Sequence, residues 1–160
     1  MSTARRIAED SLFAAILFAL QVALSFLPNV ELVSLLVMLY ARHLGRRVFP
    51  ILFAFAVLEG LLYGFGIWWI SYLYVWPILA WLSILLKKTQ APVFSYGILS
   101  CFFGFGFGLL CSIPYMAGGL GAAFAWWIAG IPFDLIHGIS NLILALALFA
   151  PLSRVFSVLK

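Results

Sequence analysis

The sequence predicts an all-α integral membrane protein, a six-helix transmembrane bundle with both termini cytoplasmic, and three observations carry that prediction. Of its 160 residues, 66% are hydrophobic before glycine is counted and 9% are charged, with a mean hydropathy of +1.20. Soluble domains run near 45–50% apolar, glycine included, and about 25% charged, so polar surface is too scarce here to cover a water-soluble globule. The apolar stretches are long, continuous and not alternating, which predicts helices of roughly 20 residues and excludes a porin-like barrel. All nine Lys and Arg fall into four groups: Arg5 and Arg6; Arg42, Arg46 and Arg47; Lys87 and Lys88; Arg154 and Lys160. Each group lies at the same end of the predicted spans, as the positive-inside rule asks. Residues 1–160 read as one transmembrane domain with no soluble domain.

Charges, prolines and glycines bound the spans in order. The first covers residues 11–27, entered from Arg5 and Arg6 and left at Pro28. Its charged N-terminal flank and apolar run resemble a signal peptide, but no polar region precedes Ala23-Leu24-Ser25, so it reads as a membrane span. Pro28-Asn29 is a turn signal, making a hairpin with the second segment, residues 30–44. At about 21 Å if helical, that segment is short, a tilted or incomplete crossing. The third span covers residues 48–63, the fourth 67–86, the fifth 93–113 and the sixth 131–150. Between Pro114 and Gly130 the sequence predicts a glycine-hinged loop leading into a short interfacial helix that carries Trp126 and Trp127, since paired tryptophans prefer the headgroup level.

Acidic residues have the opposite distribution. Glu9 and Asp10 accompany the basic N-terminus, but Glu31, Glu59 and Asp134 fall at or just inside the outer ends of the second, third and sixth segments. A carboxylate within a span costs a few kcal/mol on insertion scales and marks a candidate site; the alternative for Glu31 is a helix cap. In the last span Asp134, His137 and Asn141 recur at helical spacing, forming one stripe. That stripe suits either a cavity deepening from outside or a ladder of bonds to neighbouring helices. From Tyr63 to Trp76, six of fourteen residues are Tyr or Trp. An interfacial aromatic belt accounts for some of them, but Trp68, Tyr72 and Trp76 lie one turn apart and extend inward. Aromatic walls with a few polar groups are how small-molecule pockets are built. The candidate substrate-binding residues are therefore Asn29, Glu31, Glu59, Trp68, Tyr72, Trp76, Trp127, Asp134, His137 and Asn141. Ser11, Ala15, Ala19 and Ala23 recur every four residues on the first span, a stripe of small side chains that lets another helix approach closely. Gly104 and Gly108 do the same in the fifth span, for internal packing.

Other chemistry is not encoded. No G-x-x-x-x-G-K-[ST] is present, so ATP-driven work would come from partner subunits. Cys101 and Cys111 sit about 15 Å apart along one helix, too far for a disulfide. Asp134 and His137 fall short of the three or four donors of a metal site, and neither G-x-S-x-G nor H-E-x-x-H occurs. No catalytic residue, cofactor, metal or nucleic-acid partner is expected.

With these residues in view, the chain resembles the substrate-binding S-components of energy-coupling factor (ECF) transporters, small six-helix bacterial membrane proteins that capture vitamins. The resemblance spans nearly the whole length. It rests on Ala15-x-x-x-Ala19, on Phe26-Leu27-Pro28-Asn29-Val30-Glu31-Leu32-Val33, and on the segment from Gly130 through Pro132, Asp134 and His137 to Asn141. It implies that Ala15 and Ala19 dock on a transmembrane T-component seated on two ATPase subunits. It also implies that loops near Pro28 to Glu31 and Tyr63 to Trp69 cover an outward-facing site, and that the subunit topples in the bilayer of the bacterial cell membrane to release its ligand. Metal-specific members carry a histidine near the N-terminus, which Met1-Ser2-Thr3 lacks, so cobalt and nickel are disfavoured.

Glu31, Glu59 and Asp134 without an outer cation disfavour anions such as folate or pantothenate. A neutral or protonated aromatic heterocycle fits better: a pyridoxine-type compound, a thiamine-pathway pyrimidine or an aminomethyl-deazaguanine. Two rival classes are a self-sufficient secondary transporter, which would usually show inverted repeats or broken helices, and a membrane scaffold that needs no ligand.

Overall fold

The computed structural model describes residues 2–158, which form six α-helices and two 3-10 turns with no strand among the described residues. Helix α1 spans Thr3–Ala23, starting well before residue 11. Charged side chains do not break a helix, and the Ser2 hydroxyl caps it by accepting the Arg5 N–H at 3.3 Å. A turn over residues 24–29 leads to α2, Val33–Leu44, and Gly45, at φ 60°, ends it. A 3-10 turn over Gly45–Arg47 joins α3, Val48–Tyr63, whose Pro50 sits in the first turn, where a missing N–H costs nothing. Helix α4 runs Ile67–Lys88 and α5 Phe94–Ser112.

The last third differs from the sequence expectation. After a 3-10 turn over Ile113–Gly118 and a hinge at Gly119 (φ 99°), a single 39-residue helix, α6, runs Leu120–Val158. There is no separate interfacial helix and no restart at Pro132. The glycine hinge lies at Gly119 alone; the stretch after it is rich in Ala, Trp and Ile and carries no polar cap at Gly130 that would begin a new helix. Proline inside a helix is tolerated where neighbouring helices support the freed carbonyl.

Helix α2 is the centre of the bundle. It touches all five other helices, and every residue from Val33 to Ala41 is buried, as expected of a helix apolar all round. Around it the order of contacts is α1, α3, α4, α5, α6. At 12 residues, about 18 Å, α2 is shorter than a lipid-facing crossing requires, and it is enclosed by the other helices. Three helical stretches are long and apolar enough to cross a membrane: Ile67–Lys88, Phe94–Gly118 and Leu120–Val158.

The distribution of side chains is inverted relative to a soluble protein. Ser34, Glu59, Ser71, Ser83, Asp134, His137 and Asn141 are buried, while Trp81, Phe102, Ile139 and Ile143 are more than half exposed. An apolar exterior of this kind suits lipid rather than water, and in lipid close helix contact rather than apolar burial holds elements together. The α5–α6 seam shows this: a Cβ on Gly104 would meet the Gly138 backbone at 2.6 Å.

The basic groups meet at one end. Arg47 bridges to Glu9 at 2.8 Å and Asp10 at 2.6 Å and donates to the Arg6 carbonyl. Arg42, His43 and Lys87 share one concavity, and His43 bonds Ser153, next to Arg154. Lys160 lies outside the described residues.

Candidate functional site

The site begins with the α1–α2 turn. Asn29, at φ 56°, takes the left-handed conformation that Asn tolerates, and its carbonyl accepts the Ser140 hydroxyl at 3.0 Å. Two residues on, Glu31 makes the helix cap that the sequence allowed and a contact that it did not foresee. Its Oε2 accepts the Ser34 N–H at 2.8 Å, capping α2, and its Oε1 lies 3.1 Å from His137 Nε2 on α6. One carboxylate thus ties the hairpin to the start of the central helix and to the last helix.

Above this tie lies a cavity of about 370 Å³, lined from α1, the hairpin, α3, α4, α5 and α6. It sits over the N-terminal end of α2, where the short helix gives way to the hairpin. One wall is the aromatic ladder of α4. Trp68, Tyr72 and Trp76 stack edge to face down the helix, with centroid separations of 5.2 and 5.6 Å and interplanar angles of 86° and 84°. Phe107 of α5 continues it, 5.5 Å from Trp76 and 4.8 Å from the His137 ring. Glu59 of α3 joins this lining at 2% exposure.

Three buried polar atoms of this lining have no hydrogen-bond partner among the described residues: Glu59 Oε1, Trp76 Nε1 and His137 Nδ1. In a neutral imidazole whose Nε2–H donates to Glu31, Nδ1 is an acceptor. Each such atom costs about 1–3 kcal/mol when nothing bonds it. The cavity therefore offers a donor from Trp76, a carboxyl group from Glu59 and stacking faces from the ladder, with no Lys or Arg in its lining. Cations and planar heterocycles suit such a wall; an anion would meet carboxylates in a poorly screened site.

Comparison with family models, curated proteins and solved structures returns no match. Assignment of the cavity rests on its own geometry.

Of the candidate residues, the fold gathers Asn29, Glu31, Glu59, Trp68, Tyr72, Trp76 and His137 around the cavity. Three fall elsewhere. Asp134 turns toward α5, where its Oδ1 accepts the Gly108 N–H at 2.9 Å, so it serves the ladder reading of the stripe. Asn141 donates to Ser34 Oγ at 3.2 Å beneath the cavity, joining α6 to α2. Trp127 lines a separate apolar groove with Leu109 and Phe124. Because α6 is uninterrupted, Trp127 stands ten residues from His137, about 15 Å along the axis. Residues the sequence reading did not select include Gln21, Ser25, Tyr63 and Phe107. Gln21 had a signal, as a long polar side chain in an apolar run. Phe107 had none beyond its place between Gly106 and Gly108.

The small-residue stripe is exposed along its whole length: Ser11, Ala15, Ala19 and Ala23 all face away from the bundle, while Ala14 and Leu17 of the same helix are buried.

Proposed function

We propose that this chain is the substrate-capture subunit of an ECF-type importer, binding a neutral or cationic aromatic heterocycle in the cavity over α2. The observation that carries the reading is the cavity itself, where an edge-to-face ladder, Glu59 and the Glu31–His137 pair converge at the end of the bundle away from the cations. In this reading six helices cross the bacterial cell membrane, with α2 enclosed by the others. Both termini are cytoplasmic, beside the basic groups, and the cavity opens outside. Partner subunits supply ATP hydrolysis. The exposed Ala15 and Ala19 support a docking role for α1, because the chain's own bundle does not use that face. A T-component helix approaching there gains van der Waals contact that large side chains would forbid. Release follows when the docked subunit topples.

Two measurements test this. Calorimetry on the purified chain should give tight binding of one of three probes, a pyridoxine-type compound, a thiamine-pathway pyrimidine or an aminomethyl-deazaguanine, and none of folate or pantothenate; the reverse pattern refutes the ligand class. Ala15→Trp with Ala19→Trp should abolish co-purification with the T-component while leaving ligand binding intact. Ion-driven transport by this chain alone in liposomes would favour a secondary transporter instead.

A further inference from the structure

The concavity at the opposite end of the bundle has a different chemistry. It measures about 290 Å³ and is lined by Arg42 and His43 from the end of α2, Lys87 from the end of α4, and Gln90 and Ala91 just beyond. No acidic side chain lines it. The acids at this end of the bundle, Glu9 and Asp10, are engaged by Arg47 and Arg5. Among the described residues, neither Arg42 nor Lys87 has a carboxylate within ion-pair distance.

Arg42 is held in place. Its Nη1 donates to the Tyr96 hydroxyl at 2.8 Å, and its Cζ lies 5.0 Å from the centroid of the Tyr96 ring, which is fully buried. A stacked guanidinium loses little further freedom on binding and presents its remaining donors in a fixed fork, the arrangement that suits phosphate oxygens. On the rim, Gln90 adopts φ 54°, with its N–H bonded to the Lys87 carbonyl, a position where Gly is usual. Cations in the last turn of α2 and α4 would by themselves neutralise the helix ends. That role requires neither a concave surface nor a guanidinium fixed on an aromatic ring.

We propose that the Arg42–Lys87 concavity binds a phosphate group, carried either by an anionic lipid headgroup or by a free phosphate ester. The apolar outer faces of α4, α5 and α6 put a lipid headgroup within reach of this end, and basic pockets between membrane helices are suited to such headgroups.

Native mass spectrometry of the full chain, released from vesicles of mixed phosphatidylcholine and phosphatidylglycerol, tests the site. Wild type should retain phosphatidylglycerol in preference to phosphatidylcholine. Retention should fall about fivefold for each cation removed in Arg42→Gln and Lys87→Gln, and stay unchanged in Arg46→Gln with Arg154→Gln, which removes two exposed cations outside the concavity. Lys87 is exposed and supports no core contact, so Lys87→Gln decides the matter if Arg42→Gln fails to fold. A parallel titration with inorganic phosphate and glycerol phosphate separates the sources. Displacement of the lipid with the same residue dependence assigns the site to free esters; undisturbed lipid retention assigns it to the headgroup. Equal retention of both lipids, or equal loss in the control and site variants, overturns the proposal.

Discussion

At the scale of single residues, scarcity of charge is what makes this chain readable. Glu31 and Glu59 were legible because an acidic residue in an apolar run has few uses, and both line the cavity. Asp134 was equally conspicuous and its use was not legible. Helical spacing assigns a side chain to a face, but whether that face meets a cavity or the next helix depends on which helix packs there, and here it is α5 with Gly108. The Glu31–His137 pair, with side chains 12% and 3% exposed, is nearly dry. His137→Ala leaves Glu31 Oε1 without its hydrogen-bond partner, while Oε2 keeps the Ser34 N–H, and should cost about 1–3 kcal/mol of stability. The double variant with Glu31→Ala should cost less than the two singles together, as read from thermal unfolding in detergent. Under the proposed ligand role of the cavity, Glu59→Gln and Trp76→Phe should each weaken binding of a cationic or N–H-bearing heterocycle about tenfold, near 1.4 kcal/mol for one lost hydrogen bond. An unchanged isotherm in both would remove these side chains from the site.

At the scale of elements, the glycines separate packing from conformation. Gly104 faces the Gly138 backbone with no room for a methyl group, whereas a Cβ on Gly121 meets nothing within 4 Å. Gly104→Ala should therefore lower stability by about 1–3 kcal/mol through overpacking, while Gly121→Ala should be neutral or raise it by about 0.5–1 kcal/mol; thermal unfolding of the pair measures the contrast. The start of α1 escaped the sequence reading because apolar runs mark spans and not helix ends, and the helix continues through Arg5, Arg6, Glu9 and Asp10 to Thr3. There, the hydrogen bond from Arg47 is the largest cause holding the Glu9 carboxyl below its ordinary range, opposed by partial desolvation and aided by Arg5. A depressed carboxylate stabilises above its unfolded value and loses that effect as pH falls through the folded one. Acidification below about pH 4, the ordinary Glu value, should lower amide protection, taken relative to the intrinsic exchange rate at each pH, in the first turns of α1, and Glu9→Gln should reduce that pH response. Protection in the wild type that stays constant through this pH range would count against the bridge.

At the scale of the whole molecule, the inward placement of Ser, His, Asn and carboxyl groups beneath an apolar exterior was legible from composition, and the convergence of cations was legible from their spacing. The open question for any sequence reading was which helix would be central, since α2 is the shortest and has no marker beyond being apolar on all sides. Stability across the bundle is uneven. Helix α1 buries only Ala14 and Leu17, while α5 and α6 are locked through glycine contacts and the Asp134 bond. Hydrogen exchange should therefore be fastest in α1 and the following hairpin and slowest along α5 and α6. If the cavity takes the proposed ligand, binding should slow exchange most in the hairpin, which lines it.

The twelve residues of α2 stand among neighbours of 16 to 39 residues, and the space above it is the length it lacks. The capacity of the cavity is thus a number of residues before it is a shape. Each turn added at the N-terminal end of α2 would raise the floor by about 5.4 Å, and each turn removed would deepen the chamber by as much while the aromatic wall stays in place. The depth of this chamber is thus set by the length of one enclosed helix, independently of the outer faces of the bundle.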